Sequence, residues 1–278
     1  MDEITVHVPA TSANLGPGFD CLGVALDLPN RVTVRRGGPA APDAMVAAAA
    51  AKFFDTSNAP RFDFTWNITG DIPRSRGLGS SVAVRLGILH GLNHLAGAPL
   101  GSVDLYRLCA ELEGHPDNAA PAAFGGFTAA RADNIFFRCA IGPELRFVFL
   151  VPEGQIETDA SRVQLPAAVP HREAVRNTAH ASLITAAFAS GQYELLRGSM
   201  GDWLHQPYRA HAVPHLGPAI EAGVAAGALD GYLSGSGSAV ACVTLEKPEA
   251  VAAAMQAILP SAQVMILAPD NRGVTVEA

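Results

Sequence analysis

Alternating and helical stripes of apolar residues divide the chain into strands and helices. Residues 4–8 and 62–68 alternate between apolar and polar positions, which predicts strands because successive side chains point to opposite faces. Apolar residues at three- and four-residue steps predict a helix over residues 82–96 and a second over residues 102–112. Strands and helices do not alternate regularly as β–α–β units, so the pattern predicts an α+β fold.

The rest of the chain carries the same two patterns. Further helices are predicted at residues 44–54, 172–189, 193–205, 214–226 and 248–259. Further strands are predicted at residues 21–28 (or a short buried segment), 31–35, 127–131, 135–139, 147–151, 239–245 and 263–267, with the first strand ending at Pro9. The character of the chain changes after Pro152, and we therefore divide it into domains at residues 1–155 and 156–278.

A glycine-rich loop lies directly before the helix at residues 82–96. Backbone N–H groups in the first turn of a helix lack intrahelical partners and favour an anion such as phosphate. The loop has no Gly-Lys-Ser/Thr and lacks the third glycine of a dinucleotide fingerprint, and a serine-capped turn is the alternative reading. The candidate phosphate-binding residues are Pro73, Arg76, Gly77, Leu78, Gly79, Ser80 and Ser81.

Three other stretches are rich in polar residues or glycine where a core would need neither, although each could be only a surface turn. They are residues 9–20, 113–118 and 234–238. A carboxylate, a serine hydroxyl and phosphate oxygens together suit Mg²⁺. Ser81 with Glu111, or alternatively with Glu113, could supply such a site.

Composition narrows the function classes. A net charge of −7 and a pI near 5.7 argue against non-specific nucleic-acid binding. The four cysteines form no CxxC pair, so we expect them to be reduced and mostly packed. His90 and His94 have metal-ligand spacing but lack the glutamate of an HExxH motif. With neither a secretory signal nor a membrane-spanning run, we expect a cytoplasmic protein without membrane partners.

The separate motifs together resemble one family. Residues 9–20, 73–81 and 233–240 occur in the order and at the spacing of the three motifs of the GHMP small-molecule kinases. Within that superfamily the similarity is closer to the homoserine kinases, and it spans about residues 4–267. The stretches that carry this closer similarity are residues 8–20, 113–122 and 205–209.

The resemblance implies a fold and a reaction. The fold has an N-terminal ATP-binding domain like ribosomal protein S5 domain 2 and a ferredoxin-like C-terminal domain. The reaction is phosphorylation of the side-chain hydroxyl of L-homoserine by ATP with Mg²⁺, a step toward threonine, and a homodimer is expected. In-line phosphoryl transfer depends mainly on positioning and charge neutralisation. A kinase for another small alcohol and a catalytically inactive ATP-binding relative are the alternatives.

Residue roles follow from the same resemblance. Residues 76–81 would wrap the ATP phosphates, and Ser81 with Glu111 would hold Mg²⁺. Asp20 would face the substrate ammonium, and Arg162 and Arg209 its carboxylate, for which paired guanidinium groups are well shaped. The other predicted substrate-binding residues are Asn14, His115, Asn118 and Gly235, and the predicted catalytic residues are Asp117, Asn118 and His115, with the role of Asp117 left open.

Three positions depart from the family pattern. His180 stands where many relatives carry Arg or Lys, and Arg85 lies in a helix that is usually more apolar. The third motif has Ser and Gly, at residues 235–239, where relatives often have Ala and Pro. We expect the first two to adjust contacts with substrate or nucleotide, while no proposed catalytic group is lost.

Overall fold

A computed structural model describes residues 2–38, 43–133, 135–154 and 162–277. The strands are β1 (Glu3–Ala13), β2 (Leu22–Arg36), β3 (Phe64–Gly70), β4 (Phe127–Ala130), β5 (Phe136–Cys139), β6 (Arg146–Val151), β7 (Asp230–Leu233), β8 (Val240–Thr244), β9 (Gln263–Leu267) and β10 (Thr275–Glu277). The helices are α1 (Ala44–Ser57), α2 (Ser80–Leu95), α3 (Ser102–Glu113), α4 (Ala119–Phe124), α5 (His171–Ser190), α6 (Leu216–Ala225) and α7 (Pro248–Ile258), with a single helical turn at Gln206–Arg209.

The strands form two sheets, which confirms the α+β class. The first sheet runs in the order β10-β1-β2-β4-β5, with β3 also paired to β2, and the second in the order β7-β8-β6-β9. The C-terminal strand β10 therefore completes the N-terminal sheet. Strand β6 precedes the predicted boundary but belongs to the second sheet, and the boundary itself, at residues 155–156, lies outside the described residues.

Strand β6 shows how period-two patterning joins two cores. Phe147 and Phe149 are fully buried in the larger core, together with residues of α2 and β1. Val148 and Leu150 point to the opposite face and are buried in a smaller core under α6 and α7. Because alternate side chains of a strand face opposite sides, the near-continuous apolar run of β6 fits a strand that is covered on both faces.

The structure corrects several predicted elements. Strand β1 continues past Pro9, because a register shift between Pro9 and Ala10 accommodates the missing proline N–H. The predicted strands 21–28 and 31–35 are one strand, β2. The sequence analysis also predicted no helix where α4 lies, directly after the polar stretch at residues 113–118.

The predicted helix at residues 193–205 is wrong. Only a 3₁₀ turn, Tyr193–Leu196, forms there. The backbone is extended at Arg197 and left-handed at Gly198, so the helix does not continue. The Asp202 carboxylate next accepts hydrogen bonds from the backbone N–H groups of Leu204, His205 and Gln206. This carboxylate therefore starts the helical turn that carries Arg209.

His90 and His94 do not form a metal pair in the structure. His90 is buried inside α2, whereas His94 is exposed. The four cysteines are unpaired, as predicted. None of the described helices is both long enough and apolar enough to cross a bilayer.

Burial of His90 leads to a prediction about stability against pH. Burial lowers the pKa of His90 from 6.5 to about 4. Between about pH 6.5 and pH 4, His90 therefore binds a proton in the unfolded chain but not in the folded protein. As the pH is lowered through this range, we expect the free energy of unfolding to fall by up to about 3 kcal/mol. Urea titrations of the wild type and of His90→Phe at several pH values measure this fall. An equal fall in both proteins would show that another group causes it.

Candidate active site

Several segments meet around one cleft of about 480 Å³. Most of the lining comes from the turn after β1, the start of α2 and the loop before it, the end of α3 and the loop after it, and the loop between β7 and β8. Arg162 and Arg209 reach the cleft from elsewhere in the chain. The described residues that line the cleft are Asn14, Phe19, Asp20, Ser75, Gly77, Gly79, Ser80, Ser81, Arg85, Leu112, Glu113, His115, Asp117, Asn118, Arg162, Arg209, Gly235 and Ser236. Most of the predicted site residues are thus brought together, although they are far apart in the sequence.

The glycines of the loop before α2 let three chain segments approach one another. A Cβ atom on Gly77 would lie 2.0 Å from the Ser234 carbonyl oxygen, and one on Gly79 would lie 2.0 Å from the Thr11 hydroxyl oxygen. Both glycines also have a positive φ, 78° and 70°, which other residues rarely adopt. The need for glycine here therefore arises already from packing against neighbouring protein segments, before any ligand is considered.

A chain of hydroxyl groups fixes this loop to the β7–β8 loop. The Ser234 hydroxyl donates to the Gly77 carbonyl oxygen at 2.6 Å and lies 2.7 Å from the Ser12 hydroxyl. The Ser12 hydroxyl in turn lies 2.9 Å from the Tyr232 hydroxyl. Because a carbonyl can only accept, the protons run from Tyr232 through Ser12 and Ser234 to Gly77. The third sequence motif thus supports the loop before α2.

Near the start of α2, the Ser81 hydroxyl and the Glu113 carboxylate face each other in the cleft. The Ser81 hydroxyl donates to the Glu113 carboxylate at 3.0 Å. The other Glu113 oxygen accepts from the Arg85 guanidinium. Glu111 points elsewhere and forms an ion pair with Lys52 at 2.6 Å on the protein surface. Of the two glutamates considered from the sequence, only Glu113 lines the cleft with Ser81.

Another part of the cleft holds an arginine–aspartate pair. Both nitrogens of the Arg162 fork donate to the two Asp20 oxygens, at 2.9 and 2.7 Å. The Asp20 backbone N–H donates to the Asn14 side-chain oxygen, and the Asn14 amide donates to the Gly235 carbonyl. Asn14 thus orients the turn that presents Asp20.

Arg209 is buried beside this pair. Its guanidinium carbon lies 5.3 Å from the centre of the Phe19 ring, and that of Arg162 lies 5.4 Å from the same centre. Burial, followed by repulsion from Arg162, lowers the pKa of Arg209 to about 10, so it remains protonated at neutral pH. Its Nε atom is buried without a hydrogen-bond partner among the described residues. Such a cation is poised to receive an anion.

His205 holds Arg209 in this orientation. The Arg209 Nη1 atom donates to His205 Nδ1 at 3.1 Å, because a guanidinium cannot accept. The His205 Nε2 atom therefore carries the ring proton and donates to the Gly16 carbonyl at 2.9 Å. Burial lowers the pKa of His205, which favours this neutral tautomer. The ring also stacks on Phe19, with centroids 5.1 Å apart.

Three polar residues form the floor of the cleft. The buried Asp117 carboxylate binds the His115 ring nitrogen and accepts from the Asn118 backbone N–H at 2.9 Å. Burial alone would lower the pKa of His115, but the hydrogen bond and charge of Asp117 raise it above its ordinary value. The Asn118 side-chain oxygen accepts from the Thr11 hydroxyl at 2.7 Å. The same Asp117 oxygen, Oδ1, thus contacts both His115 and the Asn118 backbone.

Several predicted site residues do not line the cleft. Arg76 donates through its guanidinium to the carbonyls of Pro152, Glu153 and Arg74. Leu78 is buried, and its carbonyl accepts from the Thr11 backbone N–H. Pro73, like Glu111, is not among the lining residues. These four side chains therefore do not contribute to the lining of the cleft.

Known families match both parts of the chain. The GHMP kinases N-terminal domain family matches residues 44–126, and the GHMP kinases C-terminal family matches residues 184–261. The homoserine kinase of Thermus thermophilus is 39% identical to this chain over 265 residues, which cover 90% of each protein. The chain belongs to the homoserine kinase family of the GHMP kinases. The homoserine kinase of Moorella thermoacetica is 37% identical and covers 98% of this chain and 99% of the relative.

Solved structures agree with this membership. The crystal structure of homoserine kinase from Cytophaga hutchinsonii superposes with a TM-score of 0.91, at 25% identity over 100% of this chain and 98% of the other. A mevalonate kinase structure has a TM-score of 0.73 at 15% identity, covering 96% of this chain and 99% of the other, and shows the shared fold. The predicted two-domain GHMP kinase fold is thereby confirmed.

Sequence reasoning missed or under-used two residues that line the cleft, Phe19 and Arg85, and one that lies behind it, His205. Phe19 lies inside the first motif but has no polar group to mark it. His205 was noted only as part of a motif, although its ring holds Arg209. Arg85 stood out as a charge in an apolar helical stripe, and that departure was the available signal for its place beside Glu113.

Proposed function

We propose that this protein transfers the γ-phosphoryl group of ATP to the side-chain hydroxyl of L-homoserine. One observation carries the proposal: an aspartate flanked by two arginines lies in the same cleft as a glycine-rich loop at the start of a helix. The first arrangement suits an α-amino acid, and the second suits phosphate. The relatives that are named homoserine kinases support the same pairing of substrates.

The substrate end suits a zwitterion. Asp20 and Arg162 now pair with each other, while the Arg209 Nε donor has no hydrogen-bond partner in the described part of the chain. An α-ammonium on Asp20 and an α-carboxylate on the two arginines would replace one ion pair with two. The side-chain hydroxyl of the amino acid would then point along the cleft toward Ser81 and the loop before α2.

The nucleotide end fits Mg²⁺. Ser81 and Glu113 offer the oxygen ligands that Mg²⁺ prefers, and they already lie within hydrogen-bond distance of each other. We therefore assign metal binding to Ser81 and Glu113 and not to Glu111. When bound, Mg²⁺ would neutralise charge on the phosphates, whose oxygens the N-terminal N–H groups of α2 also bind.

Positioning supplies most of the rate enhancement in this proposal. Well-oriented reactants can lower a barrier by roughly 7–11 kcal/mol, whereas a general base contributes about 10²–10⁴-fold. Asp117 is engaged by His115 and by the Asn118 backbone, so we assign it an organising role. His115 and Asn118 line the cleft beside the acceptor and orient its hydroxyl.

An assay of ADP release tests the proposal. The purified protein would receive Mg-ATP with L-homoserine, L-threonine, L-serine or mevalonate in separate reactions. We expect rapid turnover with L-homoserine and little with the others, since only it combines the zwitterion with a hydroxyl at that distance. Preference for mevalonate would contradict the zwitterion pocket, and ATP binding without turnover on any alcohol would indicate an inactive relative.

A further inference from the structure

Arg85 lies at the nucleotide end of the cleft although it belongs to the body of α2. It lies one helical turn after Ser81, lines the cleft, and leaves 19% of its side chain exposed. Its guanidinium binds the Glu113 carboxylate, and its Nε atom is buried without a partner among the described residues. One guanidinium thus faces the residues that we assign to Mg²⁺.

Few of the described positively charged side chains line the cleft, and the other arginines near it already have assigned partners. Among the described residues that line the cleft there is no lysine, and the arginines are Arg85, Arg162 and Arg209. Arg162 is paired with Asp20, and Arg209 is held by His205, both at the substrate end. Arg76, which lies in the loop before α2, uses its guanidinium on backbone carbonyls. Arg85 is therefore the arginine placed for nucleotide phosphates.

We infer that Arg85 binds the terminal phosphates of the nucleotide, with Glu113 as its partner while no nucleotide is bound. The inference rests on the proposed function and adds a phosphate-binding side chain to it. In phosphoryl transfer, cationic side chains stabilise charge on the transferred group. A cation that leaves a carboxylate for phosphate would free that carboxylate for Mg²⁺, so Arg85 and the metal would exchange partners in one step of binding.

Nucleotide binding without metal separates this role from catalysis. Calorimetric titrations with ATP, ADP and AMP in EDTA would compare the wild type with Arg85→Met. A charged hydrogen bond to phosphate predicts a loss of ATP affinity of about tenfold to a hundredfold. AMP affinity should remain unchanged. Arg107→Met is the matched control, because Arg107 is an exposed arginine on the neighbouring helix α3.

A second pair of variants guards against misfolding, because Arg85→Met leaves the largely buried Glu113 carboxylate without its arginine. Glu113→Gln and the double variant Arg85→Met/Glu113→Gln both lack that charge and differ only at Arg85. We expect the double variant to bind ATP more weakly than Glu113→Gln by the same factor, with similar melting temperatures.

Each remaining outcome contradicts the inference. Equal ATP affinity of Glu113→Gln and Arg85→Met/Glu113→Gln would show that Arg85 serves only to neutralise Glu113. A parallel loss for ATP, ADP and AMP would indicate a general defect of the cleft. If the wild type bound no nucleotide either in EDTA or with Mg²⁺, the proposed function itself would fail, which is distinguishable from wild-type binding that the substitution leaves unchanged.

Discussion

Glu113→Gln should lower the apparent Mg²⁺ affinity of turnover by at least about ten- to a hundredfold, while Glu111→Gln should leave it nearly unchanged. Loss of a residue that only supports a metal ligand costs 10–100-fold, so loss of the ligand itself should cost at least as much. Glu111 instead pairs with Lys52, and the side chains are 50% and 40% exposed. Exposed pairs of this kind contribute only about 0–1 kcal/mol.

Initial rates at fixed ATP and L-homoserine across a series of Mg²⁺ concentrations measure this difference. The two variants differ from the wild type by the same chemical change, two positions apart, so each serves as the control for the other. A large effect of Glu111→Gln together with a small effect of Glu113→Gln would reverse our assignment. Thermal melting of both variants would verify that the fold is kept.

Arg209→Met should raise the KM for L-homoserine by about ten- to a hundredfold, with ATP binding intact. A charge-assisted hydrogen bond contributes about 1.5–3 kcal/mol, and Arg209 is the buried cation nearest to Phe19 and His205. The specific readout is 3-aminopropan-1-ol, which lacks the carboxylate. We expect the ratio of kcat/KM for L-homoserine to kcat/KM for this amine to be large in the wild type and much smaller in the variant. An unchanged preference would refute the carboxylate-binding role of Arg209.

Two substitutions of His205 refine this prediction. Asn places an oxygen close to the position of Nδ1 and can still accept from Arg209, whereas Gln places its amide nearer to Nε2 and keeps the contact with Gly16. If His205 acts by positioning Arg209, His205→Gln should raise the KM for L-homoserine more than His205→Asn, with equal ATP affinity. Equal effects of the two substitutions would indicate that the ring matters only for packing.

Local patterns predicted the regular elements well where one periodicity dominated. The α2 stripe and the apolar run of β6 were read correctly because each suits the geometry of its element. The helix predicted at residues 193–205 failed because Gly198 and the Asp202 side chain interrupt a run with helical spacing. Strand β10 was missed because its three residues become a strand only by pairing with β1.

The sequence alone determined the chemistry of this protein: the motifs, their order and the glycine-rich loop before α2 identify the family and its kind of reaction. The tertiary structure decided which of the two candidate glutamates, Glu111 or Glu113, lies in the cleft. Glu111 and Glu113 lie two residues apart at the end of α3, and since each residue turns the helix by about 100°, their side chains point in nearly opposite directions. Packing of α3 against α2 brings Glu113 to Ser81 and leaves Glu111 to Lys52. A contact between residues 32 positions apart depends on how the helices pack, and no local pattern encodes it.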